Sequence, residues 1–161
     1  MPIAIKLNGP SGVGKSTLGS QICREYDYKH LNAADFKRIF STKRSKIRTD
    51  IGEKLVYFYA KELIHKGFSV VIEDIPGRYL KILKRLLKEQ KYKLIEISLV
   101  APVEQCIRND RTRGIHAYGE EVIRELYPKF LVRTGYVIDV ANKSKQEVFR
   151  LANKYVRRTV H

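Results

Sequence analysis

Gly9-Pro10-Ser11-Gly12-Val13-Gly14-Lys15-Ser16 is the stretch on which the fold turns. It matches the pattern GxxxxGK[ST] at every fixed position. An apolar run, Ile3 to Leu7, precedes it and reads as a strand. Thr17 to Tyr26 follows it with helical spacing. Between a strand and a helix, such a loop turns successive backbone N–H groups inward on phosphate oxygens. The helix N-terminus adds unpaired N–H groups and the positive end of its dipole. Lys15 is then expected to reach the β- and γ-phosphates, and the Ser16 hydroxyl to ligate Mg²⁺. Gly9, Ser11, Gly12, Val13, Gly14, Lys15, Ser16 and Thr17 are the expected binding residues for a nucleoside triphosphate.

Outward from this phosphate loop, apolar runs alternate with helical patterns. His30 to Asn32 reads as a short strand and Asp35 to Phe40 as a helix. A basic stretch, Lys43 to Arg48, leads into a longer helix from about Thr49 to Lys66. Its apolar stripe is read as Ile51, Leu55, Phe58 and Leu63, and Gly67 is expected to end it by taking a positive φ. Ser69 to Ile72 reads as a buried strand ending at Glu73-Asp74. Leu80, Leu83 and Leu87 stripe the next helix. Lys93 to Val100 is the fourth strand, and Pro102 opens a helix to about Asn109. A helix over Tyr118 to Leu131 follows, then a strand over Tyr136 to Val140. The last helix carries Val148, Leu151, Ala152 and Tyr155 on its apolar face.

This alternation predicts an α/β fold, a three-layer P-loop NTPase of the adenylate-kinase kind. Its five-stranded parallel sheet carries helices on both faces. The strand C-termini share one edge, where ligands bind. Gly9, Asn32, Asp74 and Ala101 lie at those ends. We read residues 1–161 as a single domain with a lid segment at about 108–119.

Composition bounds the rest. The 161 residues are 43% hydrophobic, enough for a packed core. No apolar run reaches the roughly 20 residues of a membrane span. The start of the chain lacks the pattern of a secretory leader, so a soluble, cytoplasmic protein is expected, with no membrane partner. Cys23 and Cys106 are expected to be buried reduced thiols rather than metal ligands. Lys and Arg number 32 against 17 acids, a net charge of +15. So one-sided a charge suits a polyanionic partner, and nucleic acid is the commonest inside a cell. A charged surface serving solubility is the alternative.

Four further elements carry chemistry. The hydrophobic strand ending Val71-Ile72-Glu73-Asp74 offers a carboxylate to organise Mg²⁺, with Asp74 the first choice and Glu73 the second. Asp35 is read as a general base on an acceptor hydroxyl, or alternatively as a helix N-cap. Arg38, one turn on, shares its face and suits a phosphate next to that hydroxyl. Arg108, Arg111 and Arg113 suit a lid closing on the triphosphate, since arginine stabilises charge on the transferred phosphoryl group. Val140 to Lys143, with Asn142, follow the last strand and are candidates for the base pocket.

With these pieces in place, the chain resembles the kinase domain of polynucleotide 5′-hydroxyl kinases of the phage and bacterial repair type. The resemblance runs over roughly residues 3 to 131. It rests on Gly9 to Thr17, on Asp35-Phe36-Lys37-Arg38, on Val71-Ile72-Glu73-Asp74, and on Cys106-Ile107-Arg108-Asn109 with the arginines after it. It implies ATP, Mg²⁺ and a DNA or RNA 5′-end as acceptor. By the same likeness Asp35 is the base for the 5′-hydroxyl, Arg38 a contact to the neighbouring phosphate, and a lid arginine the stabiliser of the transferred group. This chain departs from the pattern after Asp74, where Ile75-Pro76-Gly77 follow. The lid spacing leaves Arg111 and Arg113 as competitors.

Two other readings stand beside this one. A small-molecule kinase of the same fold is the nearer. Adenylate-type kinases also place an acid and an arginine after the second strand, and guanylate-type kinases share the wording Gly-Pro-Ser-Gly-Val-Gly-Lys. A nucleotide-dependent RNA-binding or assembly factor is the other. Lys37, Arg38, Lys43, Arg44, Lys46 and Arg48 favour a polynucleotide, which carries a phosphate at every residue, and Arg44 joins Asp35 and Arg38 as an expected substrate contact. Phe36, Phe40 and Tyr57 are either core or stacking residues. The residues leave RNA and DNA both open, and the oligomeric state with them.

Overall fold

The structure, a computed structural model, describes residues 1–160. Among them five strands form one parallel sheet in the order β2-β3-β1-β4-β5. They are β1 (Ile3–Asn8), β2 (Lys29–Asn32), β3 (Val70–Glu73), β4 (Lys93–Val100) and β5 (Tyr136–Asp139). Seven α-helices connect and flank them: α1 (Lys15–Tyr26), α2 (Ala33–Phe40), α3 (Lys46–His65), α4 (Gly77–Glu89), α5 (Val103–Arg111), α6 (Glu120–Phe130) and α7 (Lys145–Val160). The α/β class and the five-stranded parallel sheet expected from the sequence are present. No helix of the described residues is long and apolar enough to cross a membrane.

The described chain divides into two compact units, one of residues 1–6 with 23–94, the other of residues 7–22 with Ile95 onward. In the first, Ala4, Ile5 and Lys6 pair with Val70, Val71 and Ile72, and β2 pairs with the other side of β3. Its core gathers Ala4, Leu31, Val56, Ala60, Ile64, Ile72, Leu83 and Leu87. Val70 to Glu73 are all buried, as befits a parallel strand covered on both faces.

The apolar face of α3 differs from the expected one. Gly52, Val56, Ala60, Leu63 and Ile64 are buried, while Leu55 and Phe58 are 42% and 59% exposed. A helix with two apolar stripes buries the one that lets neighbours approach closely. Here that is the stripe with small residues. A Cβ added at Gly52 would lie 2.7 Å from the Lys37 backbone nitrogen, so α2 rests on bare α3 backbone at that point.

The end of α3 is as the sequence suggests. Gly67 takes φ +76. Its N–H donates to Ile64 O, and Phe68 N–H donates to Leu63 O. This is the paired-bond closure that glycine favours, because it carries no Cβ penalty.

In the second unit, β4 and β5 pair from Ile97↔Tyr136 to Val100↔Asp139. Leu18, Ile22, Leu99, Cys106 and Ile123 are fully buried there or nearly so. Val148, Ala152 and Val156 form the buried face of α7. Leu151 and Tyr155, expected on that face, are only half-buried, Tyr155 stacking on Tyr136 with ring centroids 4.4 Å apart. Both cysteines are free thiols, Cys106 buried and Cys23 half-buried. Burial raises both thiols, Cys23 to about 11 with help from the Glu73 carboxylate. No group of three or more His, Cys, Asp or Glu among the described residues is arranged to hold a metal ion.

Candidate functional site

The phosphate loop leaves the end of β1 and enters α1 at Lys15. Ser16 and Thr17 are thus already helical. The loop curls tightly. Gly12 has φ +82, and a Cβ there would lie 2.3 Å from the Cys106 carbonyl oxygen. Only glycine meets both demands, since it tolerates positive φ and close backbone approach.

The Lys15 ammonium is buried and donates to Gly9 O at 2.8 Å and to Pro10 O at 3.1 Å. A buried cation must be compensated, and these carbonyls hold its head beside the loop. On the neighbouring helix, Asn109 Nδ2 donates to Gly12 O at 2.8 Å. Arg113 donates from Nη1 to the Ser11 hydroxyl at 3.2 Å. Neither Ser11–Arg113 nor Gly12–Asn109 is deducible from spacing, because each joins residues about a hundred positions apart.

A cavity of about 490 Å³ opens against the loop. It is lined in part by Gly12, Val13, Gly14, Thr17, Gln105 and Arg113. This size falls within the range of small-molecule sites. Val140 and Lys143 also line it. Asn142, the expected base-pocket residue, takes φ +56 in the turn after β5, is exposed and is not among the lining residues. Gln21, Gln105 and Lys145 do line the cavity and were not expected from the sequence. Polar helix residues give no signal of which cavity they face.

The three arginines expected in a lid separate. Arg108 and Arg111 lie on α5 and are exposed. Arg111 donates to Glu120 Oε2 at 2.9 Å, at the start of α6. Arg113 lies in the turn before a short 3-10 helix, Gly114–His116, and is the one of the three that lines the cavity. The helix expected from Tyr118 starts at Glu120.

The other expected residues lie in the first unit. Asp35 and Arg38 meet as an i,i+3 pair at 2.7 Å, on the shared face the spacing implies. The alternative reading of Asp35 as N-cap does not hold. Asn32 caps α2, its Oδ1 accepting from Ala34 N–H at 2.9 Å, which leaves the Asp35 carboxylate to Arg38. Asp74 is exposed just past β3 with φ +54, a conformation that Asp tolerates better than most residues. Glu73 is buried at the end of β3 and its Oε1 meets His30 Nε2 at 2.5 Å.

The basic stretch is partly used internally. Arg48 Nε donates to Ser41 O at 2.6 Å and Lys37 O at 3.1 Å, holding the end of α2. Lys37 pairs with Glu53 at 3.2 Å. Lys43, Arg44 and Lys46 are exposed. Phe36 packs on the core with Tyr57, whereas Phe40 is 47% exposed.

No protein-family model matches the sequence, and no curated protein matches it. Solved structures do match the fold over nearly the whole chain. A Chloroflexus aurantiacus protein carrying a provisional kinase name superposes with a TM-score of 0.73 at 16% identity, covering 98% of this chain and 97% of its own. A gluconokinase from Sinorhizobium meliloti gives 0.68 at 17%, covering 98% and 93%. An APS kinase from Mycobacterium tuberculosis, solved with AMPPNP and APS, gives 0.63 at 14%, covering 97% and 98%. The chain has the fold of P-loop kinases.

Proposed function

We propose that this protein is an ATP-dependent kinase that transfers the γ-phosphate to a hydroxyl acceptor, the 5′-hydroxyl of RNA or DNA. One observation carries the kinase reading. Lys15 and Arg113 are both held on the same phosphate loop, beside a cavity of nucleotide size. A loop that only binds a nucleotide needs the lysine. Phosphoryl transfer also needs a second cation for charge on the transferred group, and Arg113 fits that part. ATP is the donor this reading takes, in line with the AMPPNP held by the APS kinase.

Mg²⁺ is ordinarily held by one or two carboxylates, water and the substrate's own phosphates. The half-buried Ser16 hydroxyl in the first turn of α1 fits such an ion, which would neutralise charge on the β- and γ-phosphates. Asp74 is the carboxylate we assign to it.

Asp35 is assigned as the general base, with Arg38 and Arg44 as contacts to the acceptor's phosphates. The exposed Lys43, Arg44 and Lys46 support a polynucleotide acceptor. A small-molecule acceptor is the second reading. The internal use of Lys37 and Arg48 favours it, because it takes two cations out of the basic track. The names of the gluconokinase and APS kinase neighbours point the same way.

An acceptor assay decides. Labelled ATP and Mg²⁺ are offered with 5′-hydroxyl RNA, 5′-hydroxyl DNA, and a panel of nucleosides, nucleotides and sugars. Label on the oligonucleotides supports the proposal. Label on a small molecule alone replaces it with the second reading. Hydrolysis without any labelled acceptor points to an assembly factor. Lys15→Ala should abolish transfer while leaving the far-UV spectrum unchanged.

A further inference from the structure

Asp110 lies in the last turn of α5, within the arginine-rich run, and is 1% exposed. In sequence it looks like one acid balancing its basic neighbours, so nothing singles it out. In the structure its two oxygens have separate surroundings. Oδ2 accepts from Tyr118 N–H at 2.8 Å and from Gly119 N–H at 2.9 Å. These are the two residues leading into α6, so the carboxylate fastens the far end of the turn back onto α5. Oδ1 has no hydrogen-bond partner and lies 3.7 Å from Arg113 Nη1. The same Nη1 donates to Ser11 on the phosphate loop.

A buried carboxylate with one oxygen unbonded is costly unless a charge compensates it. Arg113, two-thirds buried, is that charge. Its guanidinium therefore stands between a fixed anion and the loop that binds the phosphates. The backbone adds a second tie, with Arg113 N–H donating to Asp110 O at 3.0 Å.

We propose that Asp110 is a positioning residue that holds the Arg113 guanidinium at the phosphate loop, so that it reads the γ-phosphate. The proposal rests on the phosphoryl-transfer reading given above. Asp110 does not touch the substrate; it acts through Arg113. It also sets the path of residues 112–119, because Tyr118 N–H and Gly119 N–H end on its Oδ2 while Arg113 N–H ends on its backbone carbonyl.

The test compares Asp110→Asn, Arg113→Lys and the double variant in the full chain. Asparagine keeps an acceptor for Tyr118 and Gly119 but loses the charge. The first readout is the ratio of affinities for a non-hydrolysable ATP analogue and for ADP, measured by calorimetry with Mg²⁺. Asp110→Asn should lower that ratio about tenfold, with ADP affinity unchanged. The double variant should lose no more than Arg113→Lys alone, since both changes break one device. The second readout is thermal stability, which a merely structural Asp110 would lower without moving the ratio. Additive losses, or an unchanged ratio in Asp110→Asn, overturn the proposal. If the unaltered protein binds neither nucleotide, the phosphoryl-transfer reading fails and this proposal fails with it.

Discussion

Arg113 donates from Nη1 to the Ser11 hydroxyl at 3.2 Å, while Arg111, two residues earlier, donates to Glu120 at 2.9 Å. One arginine faces the phosphate loop and the other braces α6. The two should therefore differ in their effect on transfer. Arg113→Ala should lower kcat by about 10³-fold, the scale of a lost phosphoryl-stabilising arginine. Arg111→Ala should cost little, because an exposed ion pair contributes about 1 kcal/mol or less. Single-turnover rates with saturating ATP make the comparison, and equal losses would show that the contact with Ser11 has no part in transfer.

Asn32 takes the capping task that the sequence also offers to Asp35, whose assigned role is the general base. Asn32→Ala removes the cap of α2 and should cost about 1 kcal/mol in urea unfolding. Asp35→Asn removes only an exposed pair and a first-turn charge, and should cost less than about 1 kcal/mol. Its transfer rate should nevertheless fall by about 10²- to 10⁴-fold if it acts as general base. A rate loss that merely follows the stability loss would remove the base assignment.

Gly52 lies against the Lys37 backbone, so Gly52→Ala must push α2 and α3 apart. Overpacking of this kind costs about 1–3 kcal/mol. Gly77 is the control. It opens α4 without a positive φ, and a Cβ added there would meet no atom within 4 Å. Gly77→Ala should instead stabilise by about 0.4–1 kcal/mol through the unfolded state. Denaturant midpoints of the two variants should move in opposite directions.

Burial, then the Glu73 carboxylate, pushes the Cys23 thiol up to about 11. The folded state thus favours the protonated thiol more than the unfolded chain does, where the value is about 8.5. Its contribution is complete below about pH 8.5 and is lost as pH rises from there towards 11. Stability should therefore fall more steeply between about pH 8.5 and 10.5 in the unaltered protein than in Cys23→Ala. Parallel pH profiles would show that the thiol is not held in this way. Maleimide labelling of Cys23 at about pH 8 should be slow in the folded state and fast in urea.

The phosphate loop was legible in the sequence because its chemistry needs particular residues at fixed spacing. Gly9, Gly12, Gly14, Lys15 and Ser16 are local to one turn, and no distant residue can substitute for them. The strands were legible for a similar reason. Val70 to Ile72 is a short β-branched run bounded by breakers, and a buried parallel strand tolerates little else. The stop of α3 at Gly67 also follows from one residue's backbone freedom. By contrast, α3 carries apolar residues on more than one side, and periodicity cannot rank them. Packing chose the side with Gly52 and Ala60, because helices approach more closely where side chains are small.

By itself, then, the sequence determined the alternating α/β order, the parallel sheet and the glycine-rich loop between β1 and α1, since each is encoded in neighbouring residues. The tertiary structure decided which of the three arginines meets that loop, which residue caps α2, and what Asp110 contacts. Those are contacts between residues distant in the chain or choices among equivalent neighbours. A hydrogen bond is fixed by separation in space, and spacing along the chain carries that information only within a few turns.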